Sequence, residues 1–186
     1  MKPSRPRKRF GQHFLNDRAV IARIIETFQP QSGDTVVEIG PGRGALTRDL
    51  IRLSREVHAI ELDRELAGWM AEEFAHDPRL RLHAADALSF QFCGLRPVQG
   101  RLRFIGNLPY NISTPLLFHL LDQLECIGDM LFMLQKEVVD RMAAEAGNRD
   151  YGRLSVMIQW RCRVEKLFDV EPGAFSPPPK VQSSLV

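Results

Sequence analysis

Val36-Val37-Glu38-Ile39-Gly40-Pro41-Gly42-Arg43-Gly44 decides how this chain folds. An apolar run broken only by Glu38 passes directly into three alternate glycines, and Ala45 to Leu53 then reads as a helix. Glycines allow the tight turn and let backbone approach a ligand closely, so strand, turn and helix form the first half of a βαβ unit. The spacing is not that of the dinucleotide fingerprint, because Ala45 and Leu46 follow Gly44 and Thr47 takes the next small position. A nicotinamide cofactor is disfavoured. The turn fits a nucleotide-like ligand at the carboxyl edge of a sheet.

The flanking sequence continues the alternation. Upstream, Phe10 to Asn16 reads as an ordered loop, and Asp17 N-caps a helix with Val20, Ile21, Ile24, Ile25 and Phe28 at helical spacing. Downstream come strand Val57 to Ile60, helix Arg64 to Phe74 and strand Leu80 to His83. The second half adds strand Leu102 to Gly106, helix Thr114 to Leu121 and strand Met130 to Leu134, then helices Glu137 to Ala146 and Leu154 to Trp160 and strand Val164 to Val170. Such alternation argues for an α/β fold, a mostly parallel sheet with helices on both faces. Trp69, Met70 and Phe74 recur at helical spacing and are expected in the core. Val181 to Val186 reads as the start of a strand, which makes a fragment the expectation.

Composition bounds the function. With 186 residues, 44% hydrophobic and 26% charged, the chain is long enough for one globular domain. Net charge is only +2, yet Lys2, Arg5, Arg7, Lys8 and Arg9 crowd five positive charges into residues 1–9, a basic arm suited to a polyanion. No secretory h-region and no run of 18 apolar residues occurs, so a cytoplasmic protein without a membrane partner is expected. Cys93, Cys126 and Cys162 are widely spaced without a CxxC, and free buried thiols are expected. His58, His76, His83 and His119 lack ligand spacing and are expected on the surface, and no metal site is indicated.

Candidate chemistry sits at the strand ends. Glu61 closes the strand after the glycine turn, placed to accept the hydroxyls of a ribose. Asp63 is expected to N-cap the next helix. Asp86 closes the third strand, where a carboxylate can accept from an adenine amine. Asn107-Leu108-Pro109-Tyr110 follows the fourth. The Asn107 amide oxygen and the Leu108 carbonyl offer two acceptors to an exocyclic amine, Pro109 stiffens the turn, and Tyr110 offers a stacking face. Gripping both amine hydrogens favours the pyramidal geometry that frees the nitrogen lone pair. Among basic residues, Lys136, Arg141, Arg149 and Arg153 are candidates for an RNA-facing edge, although Arg141 is four residues from Glu137 and expected to pair with it.

In order and spacing, these pieces resemble the ribosomal RNA adenine dimethyltransferase family, in its small-subunit branch. The resemblance rests on Gly11-Gln12-His13-Phe14-Leu15-Asn16-Asp17, Glu38-Ile39-Gly40-Pro41-Gly42, Glu61-Leu62-Asp63, Asp86-Ala87-Leu88 and Asn107-Leu108-Pro109-Tyr110-Asn111-Ile112-Ser113. Gln135-Lys136-Glu137-Val138, Tyr151 to Val156 and Phe175 to Val181 extend it along nearly the whole chain after residue 9. It implies a Rossmann-like class I methyltransferase fold with a seven-stranded sheet over residues 10–186, and a small helical domain following it. It implies S-adenosylmethionine as cofactor, with S-adenosylhomocysteine as product and no metal. By the same resemblance, backbone around His13 and Leu15 closes over the cofactor, Gly40 approaches its methionine part, Glu61 holds the ribose and Asp86 the adenine amine. Glu38, Gly42, Leu62 and Ala87 complete that set. Asn107 lies where cofactor and target amine meet, and Phe175 sandwiches the target base opposite Tyr110. The family usually carries Asn where this chain has His13. The implied substrate is a pair of adjacent adenosines near the 3′ end of 16S rRNA in the small ribosomal subunit, acted on by a monomer. A large-subunit enzyme of the resistance type and a non-catalytic nucleic-acid-binding relative are the alternatives.

Overall fold

The computed structural model describes residues 11–186, so the basic arm of residues 1–9 lies outside the described residues. The strands are β1 (Phe14–Leu15), β2 (Thr35–Ile39), β3 (Glu56–Glu61), β4 (Leu80–Ala84), β5 (Leu102–Asn107), β6 (Ile127–Gln135), β7 (Phe168–Val170), β8 (Phe175–Ser176) and β9 (Ser183–Leu185). The helices are α1 (Arg18–Phe28), α2 (Thr47–Leu53), α3 (Arg64–Glu73), α4 (Ser113–Leu121), α5 (Lys136–Ala143) and α6 (Arg153–Gln159). Seven strands form one sheet in the order β4-β3-β2-β5-β6-β9-β7. Strands β2 to β6 pair in parallel, and β9 runs antiparallel between β6 and β7. The chain steps outward from β2 to β4 and then returns to lay β5 on the other side of β2. That reversal opens a crevice at the carboxyl ends of β2 and β5.

Both faces of the sheet are covered, which explains why every residue of β2 is buried. Val36 joins Ile24, Phe28, Leu50 and Ile51 on one face, while Val37 and Ile39 pack with Phe104, Leu116 and Leu120 on the other. Trp69 and Met70 are buried, as the helical spacing required. Gly106 marks the closest approach of two strands: a Cβ there would lie 2.5 Å from the Ile39 carbonyl oxygen. Asp17 caps α1 by accepting from Ala19 and Val20 N–H groups at 2.8 and 3.1 Å. The other end of α1 is tied down by Arg103, which donates to the Phe28 carbonyl at 2.7 Å and pairs with Asp34 and Asp129 at 2.7 and 2.8 Å.

Several expectations are corrected. Helix α2 starts at Thr47 rather than Ala45, because Gly44 holds positive φ and its N–H closes a turn on the Pro41 carbonyl. Helix α5 stops at Ala143 because Ala144 is extended. The strand expected from Val164 is only Phe168–Val170, matched residue for residue to β9. The i,i+4 pair expected at Glu137 and Arg141 forms one position earlier, between Lys136 and Asp140, where Lys166 joins it. Cys93 and Cys126 are not free thiols: the short turns Phe92–Leu95 and Leu124–Cys126 bring them together in a disulfide, and only Cys162 stays free. His58 is buried, stacked on His83, which in turn meets Phe90, and the His119 ring bonds the Phe90 carbonyl at 2.8 Å. His76 is exposed. Among the described residues no helix is long and apolar enough to cross a membrane.

A candidate cofactor and target-base cleft

The ends of β2, β3, β4 and β5 line one cleft, together with the segment Gly11 to Leu15. Gly40, Gly42 and Gly44 all take positive φ (68°, 57° and 70°), which bends the chain sharply away from β2 and leaves its terminus uncovered by side chains. At Gly40 the nearest atoms to a built Cβ are the Asn107 carbonyl and Pro109, so a side chain there would occupy the space between the two turns. Glu38 lies beneath the loop, fully buried, accepting from Thr47 Oγ1 at 2.6 Å. Burial raises its carboxyl to about 7, against the Thr47 hydrogen bond and with help from the charge of Glu61.

Glu61 is held in place before any ligand arrives. Its Oε2 accepts from Gly42 N–H at 3.2 Å and its Oε1 from Asp63 N–H at 2.9 Å. Burial pushes its carboxyl up, and these backbone donors oppose the shift. A carboxylate has more acceptor sites than these backbone donors fill, so Glu61 keeps capacity to accept from a ligand hydroxyl. Asp63 caps α3 through Glu65 N–H at 3.0 Å, as expected, and also accepts from Gln12. Asp86 stands exposed at the rim, its Oδ1 fixed by Leu88 N–H at 2.9 Å. Leu62 and Ala87 line the same end, one exposed and one buried.

The turn after β5 supplies the other end. Asn107 Nδ2 donates to the His13 carbonyl at 2.9 Å, which directs the amide so that Oδ1 is the group available to accept. Leu108 is buried, so this position offers the cleft its backbone. Pro109 accepts from Ile112 N–H at 3.1 Å, closing the turn. Tyr110 is half-buried, with its hydroxyl 2.7 Å from Ser183 Oγ, and burial raises its pKa. Its ring is met by the imidazole of His13, with centroids 5.6 Å apart and planes at 28°.

Phe175 is the site expectation that the geometry does not meet. It is 3% exposed and packs in the core with Leu15, its register partner across the antiparallel β1 and β8 pair. That pairing turns the ring inward, and Phe175 does not line the cleft. All the other expected residues, from His13 to Tyr110, do line it. Two features escaped the sequence reading. One is the His13 ring, anchored by Nδ1 to the Pro177 carbonyl at 2.8 Å. The other is Arg43, which lines the cleft with its guanidinium 4.6 Å from the Phe14 ring centroid.

Comparison with known proteins agrees with this architecture. The fold is that of the class I methyltransferases. A dimethyladenosine transferase from Plasmodium falciparum superposes with a TM-score of 0.83 at 31% identity, over 93% of this chain and 62% of its own. The 23S rRNA methyltransferase ErmE superposes with a TM-score of 0.79 at 32% identity, over 92% and 67%. The chain belongs to the ribosomal RNA adenine dimethylase family, whose model matches residues 4–186. A ribosomal RNA small subunit methyltransferase A from Alcanivorax borkumensis is 56% identical over the whole chain, and one from Nitrosococcus oceani is 58% identical over 98% of it. The chain spans 66% and 69% of the length of these two relatives.

Proposed function

We propose that this chain is the catalytic part of an S-adenosylmethionine-dependent enzyme that dimethylates the N6 amines of two adjacent adenosines near the 3′ end of 16S rRNA. The small ribosomal subunit in the cytoplasm is its substrate, and it acts as a monomer. The residues present fit the cofactor. Glycine backbone leaves the end of β2 open, Glu61 carries two preset carboxylate oxygens for a ribose, and Asp86 offers an acceptor at the rim for an adenine amine. When bound, S-adenosylmethionine supplies an electrophilic methyl group on a good leaving group. Everything else falls to this chain's residues, and it is mostly positioning.

The observation that carries the reading is the orientation of Asn107. With Nδ2 held by the His13 carbonyl, Oδ1 accepts a hydrogen of the target amine, and the Leu108 carbonyl takes the other. An aromatic amine gripped this way pyramidalises, and its lone pair becomes nucleophilic. Tyr110 supplies the stacking surface for a base drawn out of its RNA. Its hydroxyl bonds Ser183 Oγ at 2.7 Å, which steadies the ring.

Labelled methyl transfer by the full-length protein tests this, with undermethylated small subunits in one arm and naked large-subunit rRNA in the other, followed by nucleoside analysis. Dimethyladenosine in the small subunits alone is expected. The 31–32% identity to both a dimethyladenosine transferase and a 23S rRNA methyltransferase makes large-subunit rRNA the informative rival. Label found there instead reassigns the substrate, and no label in either arm points to a binding protein.

A further inference from the structure

The cleft has an unbalanced charge pattern. Glu38, Glu61 and Asp86 line it with three carboxyl groups, and among the described lining residues Arg43 is the one with a guanidinium or ammonium side chain. Arg43 lies between Gly42 and Gly44, both at positive φ, so the turn itself sets where its side chain leaves the backbone. The guanidinium stands over Phe14, between the cleft neighbours His13 and Leu15. The His13 carbonyl is the one that Asn107 grips, so this wall belongs to the methyl-transfer end of the cleft. The ribose and adenine end lies across β3, at Glu61 and Asp86.

S-adenosylmethionine carries an ammonium, a sulfonium and one carboxylate. Acidic side chains suit the first two and repel the third. We propose that Arg43 receives the carboxylate of the cofactor's amino-acid head, and that it makes the cleft select against S-adenosyl ligands lacking that carboxylate. The proposal rests on the cofactor reading above. Arginine keeps its charge at any physiological pH and forms charge-assisted, often forked, hydrogen bonds with carboxylates. In a partly enclosed cleft such a bond is screened less than on open surface.

Calorimetry with S-adenosylmethionine and decarboxylated S-adenosylmethionine separates this role from a structural one. The two ligands differ in the carboxylate alone. Wild-type protein should prefer S-adenosylmethionine, and Arg43→Leu should lose about 10-fold or more of its affinity for that ligand. Affinity for the decarboxylated ligand should not fall. Arg43→Lys should recover part of the preference, since it restores charge without the fork. Glu61→Ala should weaken both ligands by the same factor, because the ribose is common to them. Arg43→Gln, which keeps a stem over Phe14, carries the same expectation as the leucine variant should that variant fail to fold. Equal losses for the two ligands in the Arg43 variants, or none for either, overturn the proposal and leave the cofactor reading standing. Failure of wild-type protein to bind S-adenosylmethionine removes the cofactor reading itself, and this proposal with it.

Discussion

Asn107 Nδ2 donates to the backbone carbonyl of His13 at 2.9 Å across 94 positions of sequence. An amide has two ends, and fixing the donor end fixes the acceptor end as well. The segment before β1 therefore sets which way the Asn107 amide faces the cleft. Asn107→Ala should abolish methylation while RNA binding persists, because the lost contact matters most as the amine pyramidalises. Single-turnover rates alongside RNA binding measure this, and a wild-type rate in the variant removes the amine-gripping mechanism.

Glu38 should make cofactor binding depend on pH. Burial pushes its carboxyl up from the usual 4.5 to about 7. The raised value means that Glu38 contributes stability fully below pH 4.5 and loses it as pH rises through about 7. A cationic ligand favours the ionised form, so binding should release a proton and affinity should climb with pH until it levels off above about 7. Calorimetry at pH 6.5 in buffers of different ionisation enthalpy should detect that proton, and Glu38→Gln should suppress it. Equal apparent enthalpies in all buffers for wild-type protein would count against the linkage.

Gly106 answers to geometry alone. A methyl group there would need room already filled by the Ile39 carbonyl oxygen, 2.5 Å away, and neither strand can yield without disturbing the turn that follows it. Gly106→Ala should cost about 1–3 kcal/mol, lowering the melting temperature by several degrees. Cofactor affinity should fall with it, because Ile39 leads into the Gly40 loop. A variant as stable as wild type would show that the β2 and β5 contact is looser than described.

His58 and His83 form a stack whose rings share a 3.0 Å hydrogen bond. Burial lowers both pKa values, with Glu56 opposing and, for His83, the neighbouring His58 charge adding to the effect. Histidines depressed in the folded state contribute stability above the unfolded value of about 6.5, and lose it as pH falls through the folded values. Thermal melts from pH 8 down to 5 should show this decline, and His83→Phe should flatten it. A slope unchanged in that variant would assign the acid sensitivity to other groups.

The strand and turn around Gly40 were legible in the sequence because their causes are local: β2 is buried on both faces, and the turn needs its glycines. The ends of β3 and β5 were legible for the same reason, and β4, an edge strand only partly buried, was read from its place in the strand and helix alternation; Glu61, Asp86 and Asn107 line the cleft where these strands end. What escaped depended on partners far away in the chain. Phe175 faces the core because of a two-residue pairing with β1, which no periodicity announces. The His13 ring reaches Tyr110 because Pro177 holds it, 164 positions later. Cys93 and Cys126 meet through two short turns whose contact depends on the packed fold. Arg43 carried no expectation in the sequence, because its place in the cleft depends on the packed fold.

The β1 and β8 pairing has a consequence for the order in which this protein becomes competent. Asn16 and Asp17 N–H groups rest on the Ala174 carbonyl, and Leu15 sits opposite Phe175. During synthesis the glycine turn and Glu61 leave the ribosome early, yet the strand that pairs with Phe14 and Leu15 comes only with Phe175 and Ser176. A nascent chain holds the residues that line the cleft long before it holds that pairing. That pairing is thus deferred until nearly all of residues 11–186 have been translated.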